Sequence, residues 1–214
     1  MSTIRVLLET TRKKTFASAL DWPGLARGGR DEAAALEALG VAWPRYTPLV
    51  AAAGSDLDAD PQFTVVERLP GDASTAFGVP AVIAVADRVP VDAAEARRLA
   101  AIVGAAWRLF DAVAAAAPEE LRKGPRGGGR DRTKIVGHVN DADAGYARIL
   151  GLRHRPADRA AVEAMRGDVL TILGAPSDGG PIAGRKWPAR YAARRIAWHA
   201  LDHAWEIEDR SGPQ

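Results

Sequence analysis

Near Val91 the spacing of apolar residues changes, and the change dictates what the C-terminal part of the chain can become. From there to about Arg210 they recur with the 3.6-residue period of an amphipathic helix. Leu99, Ile102, Val103, Ala106, Leu109, Phe110 and Val113 mark one face of a long helix, with Asp92 placed to cap its start. A second helix carries Ile135, His138, Ala142, Tyr146 and Ile149. A third carries Val162, Met165, Val169, Ile172 and Leu173 and is stopped by Gly174 and Pro176, and a fourth runs from about Pro188 to Arg210. Each stripe must be buried against a neighbour, so residues 91–214 are expected to form an all-α four-helix bundle.

Residues 1–90 have another rhythm and read as a separate α+β domain, a small sheet with one helix. Ile4 to Glu9 and Thr15 to Leu20 are strand-length apolar runs joined by the polar Thr11, Arg12, Lys13 and Lys14, which suits a hairpin. Asp21, Trp22, Pro23 and Gly24 turn the chain. After Gly28, Gly29 and Arg30, Asp31 caps a helix through Ala34, Leu36 and Leu39, which Gly40 interrupts or ends. Phe63 to Glu67 and Val79 to Val85 are further strand candidates, the second weakened by Pro80. Asp87 to Val91 has little linker character, so the two halves are expected to pack together. Gly124 to Arg130 reads as a mobile loop.

Composition narrows the function. Apolar residues make up 47% and charged residues 26% of the 214 positions, enough to bury a core. The 29 Lys and Arg nearly balance 27 Asp and Glu, which argues against a nucleic-acid partner. There is no cysteine. Disulfides, thiolate ligands and a cysteine nucleophile are excluded, and any thiol chemistry needs a thiol from outside. The first residues lack the pattern of a signal peptide, and no run is read as the roughly 18 apolar residues that span a bilayer. A cytoplasmic protein without membrane contact is the expectation.

Chemistry concentrates in the histidines. In the fourth helix, Ala192, Ile196, His199, His203 and Ile207 share one stripe, so both histidines face the core. His138 lies on the inward stripe of the second helix. Imidazoles at i and i+4 can grip one ion from the same side, and a third from a facing helix completes a tripod. Spacing alone is weak evidence: four histidines scattered at random over 214 positions give such a pair roughly one time in twenty. Three inward histidines carry more. Three neutral nitrogen ligands leave a position open for water or substrate, the arrangement of a catalytic site. A divalent ion is expected, zinc first, and imidazole also suits nickel and iron. Asp141 and Asp202 are placed to orient the ligating rings. Glu206, three residues after His203, is a candidate fourth ligand or general base, or else an ion-pair partner of Arg210. Trp198 and Trp205 flank the stripe as candidate pocket walls.

The string Arg195-Ile196-Ala197-Trp198-His199-Ala200-Leu201-Asp202-His203-Ala204-Trp205-Glu206, with Ile135-Val136-Gly137-His138-Val139 upstream, resembles the DinB superfamily of four-helix metalloproteins over about residues 91 to 210. The resemblance implies a divalent metal held by one histidine on the second helix and an HxxxH pair on the fourth, which here are His138, His199 and His203. Thr15 to Gly24, followed by Gly28-Gly29 and Asp31 to Leu36, is similar to the strand, D-x-P-G turn and helix of HicB-like antitoxin domains, over about residues 1 to 50. HicB antitoxins usually add a DNA-binding segment, whereas helices follow here.

Together these imply a metal-dependent enzyme, either a hydrolase or a thiol-dependent transferase or isomerase. Its partner would be a small-molecule substrate or a low-molecular-weight thiol. The other reading is a non-catalytic bundle stapled by its metal, with a HicB-like half that binds a partner. Spare apolar surface on such a bundle would suit a homodimer. The basic cluster Arg122, Lys123, Arg126, Arg130, Arg132 and Lys134 is expected to be a solvated loop.

Overall fold

The computed structural model describes residues 3–58, 60–123 and 129–212. Strand β1 (Thr3–Thr10) sends Ile4, Val6 and Leu8 into the main core and Leu7 to the opposite face. The polar turn at 11–14 folds it onto β2 (Thr15–Ala19) as an antiparallel hairpin, with Val6 opposite Ala19. β3 (Ala26–Gly29), in a segment expected only to lead into a helix, pairs with β2, and β4 (Gln62–Pro70) lies parallel to β1. The order is β3-β2-β1-β4.

A parallel return needs a crossover, and α1 (Glu32–Ala52) lies on it. Asp31 caps α1 by accepting from the Ala34 amide at 2.9 Å. The helix does not end at Gly40 as expected but continues through Pro44 and Pro48. Each proline removes a backbone bond. Burial of Trp43, Tyr46, Leu49 and Val50 beyond the glycine offsets that loss. The buried Tyr46 hydroxyl donates to the Pro23 carbonyl at 2.6 Å, fixing α1 to the turn at 21–24. Tyr46→Phe leaves that carbonyl unsatisfied, so unfolding free energy is expected to fall by about 1–3 kcal/mol in a denaturant titration.

The segment 79–85, expected as a strand, is not one. The amides of Ala81 and Val82 donate to the buried Glu9 carboxylate at 3.0 and 3.1 Å, and the Thr75 hydroxyl of α2 (Ala73–Phe77) donates to it at 2.7 Å. Amides committed to a side chain cannot enter a ladder. The chain instead drapes over the second face of the sheet and ends in a 3₁₀ turn at Val85–Arg88, where Ala84 packs with Leu7 and Leu20.

The remaining helices stand where the apolar stripes require them: α3 (Ala93–Ala116), α4 (Arg132–Ile149), α5 (Arg159–Leu173) and α6 (Ala189–Ser211). Asp92 caps α3 through the Glu95 amide at 2.8 Å. α3 and α4 each pack against both α5 and α6, and α1 packs on α3. One apolar core runs from Ile4 through α1 and α3 to Ile207, so the two halves share an interior. By length and composition α3 is apolar enough to cross a bilayer, with a mean hydropathy of 1.6, which corrects the expectation that no segment is. Alanines supply much of that apolarity, and Leu99, Ile102, Val103 and Phe110 are spent on the core. Residues 124–128 of the expected mobile loop lie outside the described residues.

Candidate metal centre

α6 is buried along most of its length, and α4 crosses beside it. One face of each helix is thereby forced together. His199 and His203 come from α6, His138 comes from α4, and one ring nitrogen from each lies within 4.8 Å of the others. The Nε2 atoms of His138 and His199 are 3.3 Å apart. Two ligands at a zinc–nitrogen distance of about 2.0–2.1 Å in a tetrahedron are separated by about 3.3 Å, so this pair already has the spacing an ion imposes. The ring centroids are 4.7 to 5.1 Å apart.

The ring chemistry fits the same purpose. His203 Nδ1 donates to Glu206 at 2.8 Å, which leaves its Nε2 lone pair free for a ligand. Glu206 also accepts from Arg210 at 2.7 Å, and the hydrogen bond from His203 leads the effects that hold its carboxyl below the usual range. Burial lowers the pKa of His199 to about 2, helped by the positive fields of His203, Arg195, His138 and Arg130. Burial likewise lowers His138. Neutral imidazole is the form that binds metal.

Two expectations follow. Glu206→Gln is expected to weaken metal binding about 10–100-fold in a chelator competition, because His203 loses the carboxylate that orients it. In the metal-free protein, His199 binds no proton when folded but binds one when unfolded below about pH 6.5, so stability is full above that value and declines as pH falls toward the folded pKa. This ring contributes at most about 1.4 kcal/mol per pH unit, read as the difference in slope between the wild type and His199→Phe.

The other candidates divide. Trp198 lies against His199, with ring centroids 6.2 Å apart, and meets Phe16 of β2 edge-on. Trp205 points toward the first half of the chain, where Arg27 and Arg45 stack on it at 4.0 and 5.0 Å. Asp202 pairs with Arg27 at 2.9 Å, and Asp141 acts on His138 through its charge. Of the basic cluster, Lys123 pairs with Asp131 and Arg132 with Glu119, while Arg126 lies outside the described residues. Tyr146, not expected at the site from the histidine spacing, meets His199 edge-on at 5.7 Å and is backed by Trp187 at 5.3 Å. Its position eight residues after His138, two turns along the same face of α4, was the available signal. His154, outside this group, bonds Asp168 at 2.8 Å.

No family model, curated protein or solved structure matches this chain.

Proposed function

We propose that the chain is a metal-dependent enzyme of the DinB type, in which four helices, α3 to α6, hold one divalent ion through His138, His199 and His203. The observation that carries this is the convergence of three ring nitrogens within 4.8 Å on a partly buried face, where burial disfavours protonation of His199 and His138. Zinc is the first choice, and nickel or iron suits the same ligands. A purely structural ion wants a fourth protein ligand. Glu206, three residues after His203, is instead turned onto His203 and Arg210, and Asp202 beside it onto Arg27, which supports an open coordination position.

Such an ion would bring the pKa of a coordinated water to about 7, or hold a thiol as thiolate. The chain's own part is to fix the rings, through Glu206 on His203 and through Tyr146 and Trp198 against His199. The reaction is therefore hydrolysis or a thiol-dependent transfer or isomerisation, with the thiol as cosubstrate because the chain has no cysteine. The test is to assay metal-loaded protein against activated esters and against a panel of low-molecular-weight thiols with an electrophile. The reading expects turnover in one arm that disappears on metal removal and in His203→Ala. No metal-dependent turnover in either arm would sink it.

A further inference from the structure

Most arginines along α6 have found a carboxylate. Arg190 pairs with Glu95 at 2.6 Å, Arg194 with Asp87 at 2.9 Å, and Arg210 with Glu206 at 2.7 Å. Arg195 has none within ion-pair reach among the described residues. Its guanidinium instead lies over two aromatic rings, 5.3 Å from the centroid of Tyr146 and 4.8 Å from that of Trp198. These are the rings that touch His199. Arg195 precedes His199 by one helical turn, so its charge is delivered beside the three histidines.

The guanidinium is also incompletely satisfied. Its Nη1 is buried without a hydrogen-bond partner, and so is Trp198 Nε1. A cavity of about 10 Å³ beside Arg195 and Ser18 has room for about one water, which could solvate the charge but would not neutralise it. Two ring faces offset part of the desolvation, yet a cation–π contact does not replace a counterion. Arg195 is only half-buried although its Nη1 is covered, so a ligand would meet the remaining edge of the guanidinium. Arg130, exposed at the start of α4, adds a second positive field at the same histidines, while Asp141 and Glu206 oppose it at His138.

We propose that Arg195 binds a carboxylate carried by the molecule that reacts at the three-histidine centre, so that the substrate or thiol cosubstrate is a small organic anion. A planar fork held between two rings is suited to bidentate recognition of a carboxylate. The inference rests on the metal-centre reading, and its test separates the two.

The experiment uses cobalt-loaded full-length protein and two probes that differ only at the far end, 3-mercaptopropionate and 3-mercaptopropionamide. Their dissociation constants are read from the thiolate-to-cobalt absorption band. Wild type is expected to prefer the carboxylate by about 10–100-fold. Arg195→Met should bring the ratio close to one with cobalt stoichiometry and helical circular dichroism unchanged. Arg195→Lys should keep part of the preference, since charge survives and the fork does not. If Arg195→Met fails to fold, the lysine variant decides, and its preference must fall several-fold below wild type. Equal affinities in wild type, or a preference as large as the wild type's in the folded variants, would overturn the role of Arg195 alone. Failure of wild type to bind cobalt would overturn the metal centre itself, and this inference with it.

Discussion

Replacing His138 with alanine is expected to abolish stoichiometric metal binding while the helices stay folded. The imidazole is partly exposed on α4, so its loss leaves no sealed cavity, whereas His199 is only 6% exposed and its truncation would also disturb packing. What remains is the pair on α6, one turn apart, with a third ligand position that no described histidine can fill. Removing a ring's hydrogen-bond partner alone costs about 10–100-fold in affinity, so losing a ligand must cost more, on the order of 1,000-fold or above. Elemental analysis after gel filtration measures this, with circular dichroism as the control for folding. A variant that still carries one ion per chain would show that the ion sits elsewhere.

The largest effect on stability is expected at Arg194. Its guanidinium donates from Nε to Asp87 at 2.9 Å, and the two side chains are 8% and 1% exposed. Asp87 also accepts from the Ala84 amide at 2.8 Å, so the pair fastens α6 to the segment draped over the sheet. Arg194→Met strands a buried carboxylate that retains one amide. The expected cost is about 3–5 kcal/mol. For a chain of this size that lowers the thermal midpoint by roughly 10 °C. Combining it with Asp87→Leu should return much of the loss, because an apolar pair of similar volume in place of a buried ion pair is often neutral. If the double variant is as unstable as the single one, stranding of the charge is not the cause.

The helices were legible because each has a clean period and a punctuated end: Asp92 caps α3, and Gly174 with Pro176 closes α5. The histidine triad was legible for the same reason, since period places a side chain on a face and faces meet by packing. What the sequence hid were places where a distant group overrides a local signal. Gly40, Pro44 and Pro48 all argue against a helix, yet α1 continues because Trp43, Tyr46 and Leu49 have a core to enter. The apolar run at 79–85 looks like a strand until Glu9, far away in sequence, takes its amides. β4 carries an apolar residue at Phe63, Val65 and Leu69, but a bulge between the pairs Val6–Val65 and Leu7–Glu67 sends Leu69 to the opposite face from the other two. Arg195 carries no local sign of a role in the sequence. What marks it is the lack of a counterion among the described residues, and a counterion is a property of space.

X-ray absorption at the zinc edge of the loaded full-length protein tests the metal centre most directly. The account predicts three imidazole nitrogens at about 2.0–2.1 Å with the remaining position taken by a light solvent donor. Zinc at less than one per chain, or a shell with fewer than three imidazoles, would contradict it.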